Sequence, residues 1–209
     1  MAGDLLSTVH DRVRGLLGRK APEVVRSYDV FEDPDHRLEL LYEWNPALPI
    51  LAVLGQNPSK ATAARPDHTI TVLARRAHAT GHGSLLMLNL HARVATKPSD
   101  MWREETDERI EAKNLAGILR LAAAAGKIVI APGDDANPRH QRRAAEITGI
   151  LAASGIPMFC LGKTRRGVPR HPSRTPYATA IEAWEGPWPL RGNRASAPRP
   201  PIDPNAADG

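Results

Sequence analysis

Four short apolar runs, Ile50–Leu54, Leu85–Leu90, Ile128–Ala131 and Met158–Leu161, constrain this chain more than any other feature. Each has the length of a strand, and none alternates apolar with polar residues, as a strand buried on both faces requires. Stretches with helical character separate them, at roughly 68–79, 104–125 and 139–153. Strands alternating with helices imply a mostly parallel sheet covered on both sides. Upstream, Ser27–Phe31 and Arg37–Trp44 flank the turn Glu32-Asp33-Pro34-Asp35 and read as a strand pair. Residues 4–18 read as an amphipathic helix, with Leu5, Val9 and Val13 near helical spacing. After Trp188 the pattern stops, and Arg191–Gly209, rich in Pro, Ala and Asn, reads as a disordered tail. The expected organisation is an N-terminal helical extension over 1–26, one α/β domain over 27–189 and a tail over 190–209. The expected fold is a three-layer α/β/α sandwich around a central, mostly parallel four-stranded sheet, with the N-terminal helix and strand pair added.

A chain of 209 residues has room for one ordinary domain and a sizeable core. No stretch has the apolar length of a membrane span, and the first residues start no secretory signal. The lone Cys160 can form no internal disulfide and sits within an apolar strand, which reads as core in a protein of the reducing cytoplasm. His36, His78 and His82 show no metal-ligand spacing, so no metal and no cofactor is expected. A monomer is expected. The formal charge of +5 permits nucleic acid as a partner without requiring it.

In sheets of this kind ligands bind beyond the carboxyl ends of the strands. The polar segments of the sequence fall there. Gln56-Asn57-Pro58-Ser59 follows the first core strand, Asn89 ends the second with His91 just beyond, and Gly133-Asp134-Asp135 follows the third. Gly162–Gly167 and the basic loop Arg170-His171-Pro172-Ser173-Arg174-Thr175-Pro176 follow the fourth. Four strand ends thus converge on one rim. Asp134 and Asp135 read as a turn or helix cap first, and as the carboxylate candidates near the rim second. Arg139–Arg143 reads as a solvated helix face.

Ala52–Ser59, Leu85–Asn89 and His171-Pro172-Ser173 together resemble the signature motifs of the uracil-DNA glycosylase superfamily. With asparagine at 57 and Arg174-Thr175-Pro176 after the histidine, the chain is most similar to the mismatch-specific and single-strand-selective branches. Over a longer span, from Arg37-Leu38-Glu39-Leu40 to Pro169-Arg170-His171-Pro172, it also resembles an uncharacterised domain family of bacteria and phages. The glycosylase resemblance implies a glycosylase-like fold over roughly 48–177. It also implies a hydrolase that cuts the N-glycosidic bond of a damaged or modified base flipped out of single- or double-stranded DNA.

On that resemblance Asn57 holds the water and His171 stabilises the departing base. Gln56, Asn89 and His91 contact the base. Ser59, Lys60, Lys163, Arg165, Arg166, Arg170, Ser173 and Arg174 hold the DNA. The chemistry suits these types. Charge leaves with the base, so hydrogen-bond donors should be aimed at the base oxygen. An amide presents one donor side and one acceptor side to a Watson–Crick edge. Three departures matter. The aspartate of uracil-specific enzymes is replaced by Asn57, no aromatic residue lies between Trp44 and Trp102 to stack the base, and the cysteines of the iron–sulfur branch are missing. A larger or modified base is therefore expected rather than plain uracil. The rival expectations are an enzyme of free nucleotides and a non-catalytic module that binds modified DNA.

Overall fold

A computed structural model describes residues 22–103 and 107–190. The helix expected over 4–18 and the tail over 191–209 lie outside the described residues. In chain order the elements are β1 (Arg26–Asp33), β2 (His36–Glu43), β3 (Ile50–Gly55), α1 (His68–Ala79), β4 (Ser84–Asn89) and the short α2 (Pro98–Met101). Then come α3 (Glu108–Ala125), β5 (Ile128–Ile130), α4 (Pro138–Ala153), β6 (Met158–Cys160), a 3-10 turn (Pro172–Arg174) and β7 (Glu182–Ala183).

The expectation of a four-stranded, mostly parallel sheet of glycosylase type is corrected here. The sheet has seven strands in the order β1-β2-β4-β3-β5-β6-β7, and it is mixed. Strands β4, β3, β5 and β6 run parallel to one another, but the other three pairings, β1 with β2, β2 with β4 and β6 with β7, are antiparallel. The physical reason is the burial demand of the hairpin. Leu40, Leu41 and Tyr42 are each at most 3% exposed, which β2 achieves by pairing along the free edge of β4. Strand β7 has two residues, too few to leave a periodic signal.

Alternate residues of the central strands face opposite layers, as the pleat requires. Leu51 and Val53 of β3 pack with Leu73, Ala74 and Ala77 of α1. Ala52 and Leu54 pack instead with Ile118 and Ala122 of α3 and Ala144, Ile147 and Leu151 of α4. The helices begin where short polar side chains cap them. Asp67 accepts from the Ile70 amide, Asp107 from the Arg109 and Ile110 amides, and Asn137 from the Arg139 amide. Helix α3 ends at Gly126, whose φ of 72° suits glycine.

This layout creates a crevice. The segment after β3 leads to α1 on one face, and the segment after the adjacent β5 leads to α4 on the other. A ligand site is favoured where neighbouring connections part in this way. Among the described residues no helix is long and apolar enough to cross a membrane, and no group of three His, Cys, Asp or Glu side chains is arranged to hold a metal.

Candidate functional site

A cavity of about 880 Å³ opens beyond the carboxyl ends of the parallel strands. The segments after β3 and β5 meet across it, where Gln56 Nε2 donates to Asp135 Oδ2 at 2.7 Å. That bond ties the two diverging connections together and uses the Gln56 donor within the protein.

The floor is the end of β4. Asn89 is 4% exposed and lines the cavity, and among the described residues its carboxamide has no hydrogen-bond partner. Its backbone is held from behind, because Asn114 of α3 donates to the Asn89 and Leu90 carbonyls at 3.0 and 3.3 Å. Gly55, its neighbour on β3, makes room for the amide, since a Cβ there would lie 2.8 Å from Asn89 Oδ1. Both amide ends are therefore available to a ligand, one as donor and one as acceptor.

Asn57 is pinned. Its Nδ2 donates to the Pro58 carbonyl at 2.9 Å and to the Ala95 carbonyl at 2.8 Å. Carbonyls only accept, so the nitrogen must face them, and Oδ1 is left as the acceptor of a residue that lines the cavity. The loop beyond is fastened to the hairpin by three side chains. Arg37 Nη1 donates to the Ala61 carbonyl, Tyr42 Oη donates to the Thr62 carbonyl, and Asp29 Oδ2 accepts from the Ala63 amide at 3.1 Å.

The opposite wall carries His171. The Ser173 backbone amide donates to its Nδ1 at 3.3 Å, and Ser173 Oγ lies 2.8 Å from the same atom. A backbone amide can only donate, so Nδ1 is the acceptor and the neutral ring carries its proton on Nε2. Burial, then the charge of Arg174, push the His171 imidazolium down from its usual range, so the ring is neutral at neutral pH. Gly133, at a φ of 82°, lies against it, and a Cβ there would come within 3.0 Å of His171 Cβ. From the far side, Arg76 of α1 donates to the Pro176 carbonyl at 3.0 Å and to the Thr179 carbonyl.

Nine of the expected site residues line the cavity together: Gln56, Asn57, Ser59, Asn89, Arg165, Arg170, His171, Ser173 and Arg174. Four do not line it: His91, Arg166, Lys163 and Lys60. His91 is turned away from the cavity and buried against Trp102 and His140, with ring centroids at 5.1 and 6.5 Å. Burial first, then its cationic neighbours, push its pKa down to about 3, so it is a neutral core residue. Arg166 ion-pairs with Asp134 at 2.8 Å and donates to the Pro189 carbonyl, which directs it behind the rim. Lys163 Nζ lies 3.6 Å from Glu182 of β7 and belongs to that side of the molecule. Lys60 is exposed and lies outside the cavity lining. Asp134 and Asp135 line the cavity, but each is engaged, with Arg166 and Gln56 respectively.

Sequence reasoning missed Arg37, Asp67 and Thr69, which also line the cavity. Asp67 accepts from Ser59 Oγ at 2.7 Å and from the Ile70 amide at 2.8 Å. Its position one residue before a helical stretch was the available signal, and it reads as a cap. Arg37 looked like the polar start of a strand, and only the fold shows it at 3% exposure beneath the loop.

No curated protein matches this chain. A family model described as "Protein of unknown function (DUF1643)" matches residues 37–173, a span that contains Arg37, Asn57, Asn89 and His171. That match covers most of the chain and nearly all of the cavity wall, and the protein belongs to this family.

Proposed function

We propose that this cavity binds a nucleoside unit of DNA and that the protein hydrolyses the N-glycosidic bond of a modified base, acting in the cytoplasm without a metal or other cofactor. The observation that carries the reading is the convergence of Asn89, Asn57 and His171 on one cavity from three strand ends, with one defined group left for a ligand on Asn57 and on His171 and both amide ends left on Asn89. The Asn89 amide suits a base edge. The Nε2–H of neutral His171 suits a base oxygen that gains charge as the bond breaks, and the site needs no proton transfer to supply it. Asn57 Oδ1 suits a water hydrogen and directs the water oxygen to the sugar carbon. In the balanced step the glycosidic pair leaves with the base, water oxygen bonds to the sugar, and the proton lost by water neutralises the base.

A cavity of about 880 Å³ exceeds a bare base and fits a nucleoside carrying a substituent. Extracting a base from a duplex costs a few kcal/mol and favours weakly paired or modified bases. The same volume favours, as a second reading, an enzyme of free modified nucleotides.

The test is base release from oligonucleotides and phage DNAs bearing deaminated, oxidised and hypermodified bases, with alkali revealing abasic sites. Wild type is expected to act on one substrate. His171→Ala should lose about a hundred- to a thousandfold in rate, and Asn57→Ala should also be impaired. Silence across the DNA panel with turnover of a free nucleotide would select the second reading. Activity that survives both substitutions would overturn this assignment of roles.

A further inference from the structure

Arg37 is a buried guanidinium with almost no partner. It is 3% exposed, it lines the cavity, and its one side-chain hydrogen bond goes from Nη1 to the Ala61 carbonyl. Nε is buried without an acceptor, and among the described residues Nη2 has none either. The acidic groups that act on it, Asp29 and Asp67, are committed elsewhere. Asp29 accepts from the Ala63 amide, and Asp67 from Ser59 and the Ile70 amide. Neither forms an ion pair with Arg37. A buried cation left with one carbonyl bond is costly, and its planar fork matches the two oxygens of a phosphate or carboxylate.

We propose that Arg37 is the receptor for an oxyanion carried by the ligand of this cavity, a phosphate or carboxylate group attached to a nucleoside. The proposal rests on the reading of the cavity as a nucleoside site, and it is tested by binding rather than base release, so the two can fail separately. The oxyanion enters deep under the Ser59–Arg65 loop, whereas Arg165, Arg170 and Arg174 are exposed at the rim. The cavity is thereby selective for an acidic nucleoside over its neutral parent.

The experiment is calorimetric titration of the full chain with 2′-deoxyuridine, its 5′-monophosphate, 5-carboxy-2′-deoxyuridine and inorganic phosphate. One acidic nucleoside should bind about ten- to a hundredfold more tightly than deoxyuridine. That gain should vanish in Arg37→Gln and persist in Arg103→Gln, which removes the same charge from an exposed site outside the cavity. Preference for the monophosphate assigns the oxyanion to the sugar, and preference for the carboxylated base assigns it to the base. Arg37-dependent binding of inorganic phosphate with no added affinity from a nucleoside upholds Arg37 as an anion receptor and overturns the nucleoside reading. Equal binding of neutral and acidic nucleosides, a gain that survives Arg37→Gln, or no binding of any probe overturns the proposal. Should Arg37→Gln fail to fold, the wild-type Arg37 Nε–H resonance, assigned through its contact with Ala61, decides. A shift on adding phosphate or the acidic nucleoside upholds the proposal, and an unmoved signal overturns it.

Discussion

Individual side chains in this protein are defined by what their neighbours leave open. Asn57 and His171 each have one end consumed by backbone, which fixes the chemistry of the other end. Both were legible in the sequence because Gly55-Gln56-Asn57-Pro58 and the proline-flanked histidine are turn chemistry at strand ends. His91 was misread for a related reason. It follows a strand end, but one residue decides which way a side chain points, and the sequence does not display Trp102 beside it. Its burial has a measurable effect. Charging this imidazole penalises the folded state and not the unfolded chain, so the unfolded chain takes the proton first. Stability is full above about pH 6.5 and declines as pH falls toward about 3, the depressed value. Between pH 7 and 5 the site costs up to about 2 kcal/mol. His171, also depressed, adds to the same decline. His91→Phe keeps an aromatic ring and removes the titration, so denaturant midpoints at the two pH values should move closer together than in wild type. An equal loss in both proteins would exclude His91 as a source of acid sensitivity.

Elements come next. The core strands could be read from their apolar runs, because burial on both faces leaves a continuous signature, and the three long helices from the helical stretches between them. The pairing of β2 along β4 could not, since a half-buried hairpin has the same pattern whether it packs apart from a sheet or extends one. That pairing has a role at the site. Asp29 of β1 and Arg37 and Tyr42 of β2 hold the Ala61–Ala63 backbone, so the hairpin supports one wall of the cavity. Arg76 does the same for the other wall, reaching from α1 to the Pro176 and Thr179 carbonyls with its guanidinium 5.6 Å from the Tyr177 ring centre. Arg76→Met should leave those carbonyls without donors and cost about 2–3 kcal/mol. Amide exchange should accelerate over residues 172–179 while the central strands keep their protection. Unchanged exchange in that loop would mean that other contacts hold it.

At the level of the whole molecule, the α/β alternation and the convergence of polar segments beyond the strand ends, where the cavity lies, were legible, while the mixed, seven-stranded sheet was not. The two-residue strand β7 carries too few side chains to show a period, and edge pairing is a tertiary decision. The overall charge is +5, and Arg166 and Lys163 each lie beside an acidic side chain at the surface, Asp134 and Glu182. Exposed arginines at the rim are reduced to Arg165, Arg170 and Arg174. If each meets one phosphate, the logarithm of DNA affinity should fall against the logarithm of salt with a slope of about −2 to −3. A slope near zero would remove the rim from DNA binding, and a much steeper one would require basic residues elsewhere. The two walls also have a bearing on synthesis. The amides on the floor and near wall belong to the first half of the chain, and the histidine wall follows the last parallel strand. A nascent chain on the ribosome can lay down the floor and near wall early, yet it has no complete cavity until Arg174 has emerged, so premature termination yields a product with an unfinished pocket.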